Sequence, residues 1–206
     1  MRSVERDADA EPRRIVVGMT GATGAVFGIR LLEALSALPD VETHLVLSRW
    51  ARSTITLETD WTVGEVTRLA DFSYRPDDQG ARISSGSFRT EGMVIVPCSM
   101  KTLAAIRTGY TDGLLARAAD VTLKERRRLV LMPREAPLSD IHLENMLALS
   151  RMGAVLVPPM PAFYNAPQVI DDIVDHIVAR TLDQFGLRVP ARRWAGMRAA
   201  RLRAAQ

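Results

Sequence analysis

Arg134-Glu135 follows directly on Leu129–Pro133, an apolar run that reads as a buried strand. Ligands of open α/β sheets sit outside the carboxyl ends of the strands. A guanidinium and a carboxylate emerging there suit chemistry on an anionic substrate. Upstream, Arg117 and Lys124 stand two helical turns apart and share one face of a helix expected over Gly113–Glu125. The same pair also fits a solvated basic face, because Glu125 and Arg126–Arg128 follow. Tyr164, in Phe-Tyr-Asn, adds a hydroxyl. Arg180 sits amid Ile177, Val178 and Leu182, and a guanidinium partly buried there requires an anionic partner.

A second group lies at the first strand-to-helix turn, Gly18-Met-Thr-Gly-Ala-Thr-Gly24. The glycine spacing is neither Gly-x-Gly-x-x-Gly nor a Walker A loop, and no lysine follows, so a dinucleotide or nucleoside-triphosphate grip is unsupported. Free amides and the hydroxyls of Thr20 and Thr23 at a helix N-terminus suit an anion or a polar ligand edge. A tight turn that needs glycine for sterics explains the same residues equally well. Ser48 and Ser99 each follow a strand and begin a helix, where a serine is an ordinary N-cap. Three successive strands ending in such turns would nevertheless line one crevice, with Thr102 and the positive charge of Lys101 beside it. Cys98 is the only cysteine, and His44, His142 and His176 stand in no recognisable relation to it, so neither thiol catalysis nor a metal site is expected.

These residues need a scaffold, and the chain supplies an alternation of short apolar runs and amphipathic segments. Strands are expected at Ile15–Val17, Thr43–Leu47, Met93–Val96, Leu129–Met132 and Ala154–Val157. Helices are expected at Ala25–Leu38, from Ser48 through Thr59, and at Thr62–Ala70, Ser99–Arg107, Gly113–Glu125, Ser139–Met152 and Val169–Phe185. Residues 71–92 read as one long polar loop. Continuous apolar strands alternating with helices indicate a single-domain α/β fold. The expected form is a Rossmann-like (flavodoxin-like) doubly wound parallel sheet with a C-terminal helical tail. The expected division is a polar extension over 1–13, one domain over 14–188 and a basic tail over 189–206.

The chain has 206 residues, 47% of them hydrophobic, and its 27 basic and 24 acidic residues leave a net charge of +3. Five arginines fall in the last fifteen residues, so the body is near neutral and nucleic acid is not an expected partner. No apolar run approaches a membrane span, and the first thirteen residues lack the apolar core of a secretory signal. One cysteine fits a reducing compartment, and the expected location is the cytoplasm.

Taken together, the motifs resemble those of the UbiX-type flavin prenyltransferases over about residues 14–194. They are Gly-Met-Thr-Gly-Ala-Thr-Gly-Ala at 18–25, Leu-Glu-Thr at 57–59, Ser-Ser-Gly-Ser at 84–87 and Pro-Cys-Ser-Met-Lys-Thr-Leu at 97–103. Arg-Ala-Ala-Asp-Val at 117–121, Leu-Lys-Glu-Arg at 123–126, Pro-Arg-Glu-Ala-Pro at 133–137 and Pro-Ala-Phe-Tyr at 161–164 continue the match. The branch resembled most is the B subunit of phenolic-acid (hydroxyarylic acid) decarboxylases. The resemblance implies FMN, dimethylallyl phosphate as prenyl donor, no metal, and a UbiD-type decarboxylase that receives the prenylated FMN. It also implies a homo-oligomer, a dodecamer built of trimers.

By motif position, the resemblance assigns Gly21, Ala22, Thr23, Ser48, Ser85, Ser99, Met100, Lys101, Thr102 and Arg134 to FMN. Tyr164, Arg180, Lys124 and Trp194 fall to the prenyl phosphate, and Glu135, Lys124, Glu58 and Arg117 to catalysis. Many relatives have serine where this chain has Thr23, so the hydroxyl is kept. Lys124 precedes the strand that Glu135 follows, and five strand residues span roughly 16 Å. A neighbouring subunit is therefore expected to complete the site. The rival readings are an FMN-dependent cysteine decarboxylase and a flavin-carrying subunit without activity. Pro159-Met160-Pro161-Ala162 lacks the asparagine of the former's substrate loop.

Overall fold

The computed structural model describes residues 11–197. Six parallel strands form one sheet: β1 (Arg13–Met19), β2 (Val41–Leu47), β3 (Phe72–Tyr74), β4 (Gly92–Cys98), β5 (Arg128–Pro133) and β6 (Val155–Leu156). Their order is β3-β2-β1-β4-β5-β6. The chain thus winds outward in one direction from β1, then crosses back to β4 and winds in the other. A crevice opens where the direction reverses, between the carboxyl ends of β1 and β4.

The helices are α1 (Ala25–Ser36), α2 (Arg49–Glu58), α3 (Val63–Arg68), α4 (Met100–Thr108), α5 (Leu114–Lys124), α6 (Asp140–Arg151) and α7 (Ile170–Leu182). Successive strand residues point to opposite faces, and both faces are covered. Ile15, Val17, Val94, Val96, Val130 and Met132 pack on the layer that contains α1 and α7. Val16, Met93, Ile95, Leu129 and Leu131 pack on the layer of α4 and α5. Burial on both faces is why these strands are apolar without alternation. At Gly28 in α1 a Cβ would lie 2.7 Å from the Val96 carbonyl oxygen and 2.6 Å from Met19 Cε, so the glycine lets α1 press on β1 and β4.

Three expectations need correction. The segment 71–92 is not one loop, because Phe72–Tyr74 adds an edge strand and Arg82–Ser84 forms a 3-10 turn. The strand was hidden because it is only three residues long. It is fixed from outside itself: the Asp71 carboxylate accepts from the Thr43 amide and hydroxyl at 2.8 and 2.9 Å. The last long helix ends at Leu182, and Asp183–Phe185 is a 3-10 turn closed by Gly186 at φ 67. The tail has no regular structure over 187–196, and the rest of its expected helix lies outside the described residues, as do 1–10.

Candidate active site at the carboxyl edge of the sheet

A cleft of about 710 Å³ lies at the switch point. Thr20, Gly21, Ser48, Ser99, Lys101 and Thr102 all line it, so the three hydroxyl-bearing strand ends do converge. Thr20 is buried and ties the crevice shut at its base. Its hydroxyl donates to the Pro97 carbonyl and accepts from the Ser99 amide, both at 2.8 Å. Ser48 caps α2 by accepting from the Ala51 amide at 3.1 Å, and Ser99 caps α4 by accepting from the Thr102 amide at 3.4 Å. Each serine is therefore both an N-cap and a wall of the cleft. The positive end of the α4 dipole reaches the same place. Met100, the first residue of α4, does not line the cleft, and its side chain is buried in the core.

The glycine turn departs from expectation. The first-turn amides of α1 are occupied: the Glu58 carboxylate, at the end of α2, accepts from Gly24 and Ala25 at 2.8 and 2.9 Å. Burial pushes the Glu58 carboxyl up, but the Thr23 hydroxyl, those two amides and the Arg134 charge outweigh it. The carboxyl is held below the usual carboxylate range. An internal carboxylate thus sits where an external anion was expected, and Thr23 serves it. Gly21 is needed for a close approach, because a Cβ there would lie 2.2 Å from Trp50 Cβ. Ala22, beside it in the turn, is half-buried.

Arg134 leaves β5 with its amide bonded to the Cys98 carbonyl at 3.3 Å. Its Nε is buried and has no hydrogen-bond partner, the one such side-chain atom among the described residues. A buried guanidinium nitrogen without an acceptor is costly, so an anionic or carbonyl-bearing ligand fits this position. Glu135, the next residue, is exposed, and among the described residues its carboxylate accepts from the Ala136 amide alone, at 3.2 Å.

The other basic residues lie elsewhere in the chain. α5 runs from the carboxyl edge, where the Leu114 amide bonds the Pro76 carbonyl, to the amino edge, where Lys124 pairs with Glu125. Ser85 belongs to that lower group and not to the cleft. Its hydroxyl bonds Ser87, and the neighbouring Gly86 carbonyl accepts from Arg127 at 2.6 Å. Arg117, on α5, is held by the same group, with Nε donating to the Ser84 carbonyl at 3.1 Å and Nη1 pairing with Asp120 at 2.8 Å. A more open depression of about 620 Å³ at this end is lined by Glu91 and Arg126–Arg128, but Arg127 is spent on backbone carbonyls.

Tyr164 lies beyond β6 and packs edge-to-face on Trp194, with ring centroids 5.4 Å apart. Arg180 is exposed, contrary to the partial burial expected from its apolar neighbours. It does have the anionic partner expected of it, Asp183 at 2.7 Å, which Arg193 also grips at 2.6 and 2.7 Å. Within one chain, then, the FMN-assigned residues largely converge, whereas Lys124, Ser85, Tyr164 and Arg180 stand apart from them.

Sequence reasoning missed Trp50 and Tyr110, two exposed aromatics that line the cleft. The available signal was position alone: Trp50 sits in the first turn after a strand-ending cap. Cys98 is fully buried, and burial pushes its thiol up to about 12, which makes it inert. Among the described residues no group of histidine, cysteine, aspartate and glutamate side chains has the arrangement of a metal site, and no helix is long and apolar enough to cross a membrane.

Comparison with known proteins adds a family to this geometry. The Flavoprotein family model matches residues 3–182. A probable UbiX-like flavin prenyltransferase of Streptomyces sp. (strain D7) is 76% identical over 189 residues, 91% of this chain and 94% of its own length. The crystal structure of a dodecameric FMN-dependent UbiX-like decarboxylase from Escherichia coli O157:H7 superposes with a TM-score of 0.88 at 68% identity, covering 89% of this chain and 100% of that one. AnUbiX (PadA1), solved in complex with FMN and dimethylallyl pyrophosphate, also gives 0.88, at 57% identity over 90% of this chain and 98% of that one.

Proposed function

The chain belongs to the UbiX-like flavin prenyltransferases of the Flavoprotein family, and from that premise we propose how its residues divide the work of prenylating FMN. Reduced FMN is the acceptor and dimethylallyl phosphate the donor. FMN supplies the nucleophile, and the protein supplies binding, orientation and a field for the departing phosphate. Gly21, Ala22, Ser48, Ser99, Lys101 and Thr102 hold FMN in the cleft, with the Met100 amide at the mouth of α4. Arg134 directs its unpartnered Nε to the flavin. Glu58 and Thr23 fix the glycine turn beneath it.

Tyr164, Arg180 and Lys124 take the prenyl phosphate, with Trp194 closing over it. Glu135, with no cation partner among the described residues, is the acid/base that carries a proton to or from the phosphate. β5 separates Lys124 from Glu135, and Ser85 and Arg117 lie toward Lys124. A neighbouring subunit therefore brings Lys124, Ser85 and Arg117 to this cleft. Support comes from the dodecameric relative. We assign the chemistry to residues 14–188, with 1–13 and 189–206 as extensions, and place it in the cytoplasm. The product goes to a UbiD-type decarboxylase.

The observation that carries this reading is the cleft itself. It lies at the switch point of the sheet and is lined by residues that the motif match assigns to FMN. Anaerobic incubation of the reduced FMN complex with dimethylallyl phosphate, followed by mass spectrometry of the flavin, tests it. A gain of one prenyl unit is expected. Unchanged flavin would favour a carrier. Loss of carbon dioxide from a C-terminal cysteine peptide, without flavin modification, would favour the cysteine-decarboxylase reading.

A further inference from the structure

His176 is a buried histidine on α7 that no part of the proposed chemistry uses. Both of its ring nitrogens are engaged. Nε2 lies 3.4 Å from the Tyr164 hydroxyl, and Nδ1 lies 2.8 Å from Asn165 Nδ2 and 3.2 Å from the Arg192 carbonyl. Tyr164 meets the imidazole edge-on, with ring centroids 5.9 Å apart and planes at 90°, and packs its other side on Trp194. Arg192 closes the arrangement by donating to the carbonyls of Asn165 and Ala166 at 3.1 and 3.3 Å.

We infer that His176 is a positioning residue that holds the Tyr164 ring and hydroxyl in place against the departing phosphate. The inference rests on the assignment of Tyr164 to that phosphate. Nδ1 faces the Asn165 amide and the Arg192 carbonyl together, so the imidazole is gripped from two sides whichever nitrogen carries the proton. Held in this way, the ring keeps the Tyr164 hydroxyl, 3.4 Å from Nε2, at one position beside the phosphate. During transfer the C–O bond of the donor breaks with its pair going to the phosphate oxygen. Tyr164 stabilises that charge by a hydrogen bond, and no proton leaves His176 or Tyr164. The long Nε2 contact is of the kind that tightens when the ligand charge is present.

The test is a double-mutant cycle on prenylated-flavin formation, with wild-type turnover confirmed first by the mass gain of the flavin. Loss of that gain in the wild type would overturn the proposed function and not this inference alone. His176→Leu is expected to lower kcat about tenfold, the size of one transition-state hydrogen bond, with FMN affinity unchanged. His176→Gln, which keeps an N–H donor, should recover most of the rate. In a Tyr164→Phe background His176→Leu should have no further effect. Asn165→Ala should also lower kcat, and again only when Tyr164 is present; it decides the matter if His176→Leu does not fold. Undiminished kcat in His176→Leu or, where that variant does not fold, in Asn165→Ala would overturn the inference, as would equal losses with and without the Tyr164 hydroxyl.

Discussion

Lys124 and Glu135 stand at opposite ends of β5, which separates them by its six residues from Arg128 to Pro133. At about 3.3 Å per residue that is roughly 20 Å, too far for both to touch one phosphate. Lys124 is paired with Glu125 at the amino edge, and Glu135 is exposed at the carboxyl edge.

Subunit mixing follows from that separation. Lys124→Ala and Glu135→Gln should each cost at least about a hundredfold in kcat. Co-refolded oligomers of the two variants should regain roughly a quarter of wild-type turnover, because random pairing rebuilds that share of shared sites. Turnover no higher than that of either single variant would place both residues in one subunit's site.

Arg134→Met should raise the melting temperature of the flavin-free protein slightly, because it removes a buried nitrogen that has no acceptor. The same variant should weaken FMN binding by about tenfold to a hundredfold. Calorimetry of both states checks the pair of effects. A less stable apoprotein with intact FMN affinity would contradict the assignment.

Glu58 gives a pH dependence with a definite sign. Its carboxyl is held below the usual range in the folded state, so its cap on α1 contributes fully above the unfolded pKa, about 4.3. That contribution falls as pH drops below the unfolded value and is gone below the folded one. Glu58→Gln should be less stable at neutral pH and lose less stability between neutrality and pH about 3. Acid denaturation curves of the two proteins measure it.

Gly28→Ala should destabilise by about 1–3 kcal/mol, since the new methyl meets the Val96 carbonyl and forces α1 away from the sheet. Urea unfolding measures the change. A smaller shift in FMN affinity should accompany it, because α1 carries the glycine turn at its N-terminus.

Cys98 should resist thiol-directed reagents in the native state, with its thiol buried and pushed up to about 12. Labelling should appear only with denaturant, in step with loss of the far-ultraviolet helix signal. Rapid labelling of folded protein would mean that the β4 end opens.

The elements that the sequence determined alone are those with long, consistent local signals. Apolar runs such as Ile15–Val17 and Leu129–Met132 must be buried on both faces, so a parallel sheet with helices on either side followed from composition and order. Ser48 and Ser99 were readable as caps because capping is local. Only tertiary structure decided that Asp71 would recruit Phe72–Tyr74 to the sheet edge. It also decided that Glu58 would reach back 34 residues to occupy the amides of the glycine turn, and that Trp50 would stand over the cleft. The edge-to-face cluster of His176, Tyr164 and Trp194 was hidden for the same reason. Each of these depends on where two distant segments end up in space, and residue spacing along a chain carries no such information. Periodicity and capping act within a few residues, whereas the partners of a lone carboxylate or aromatic ring are chosen by the packed fold.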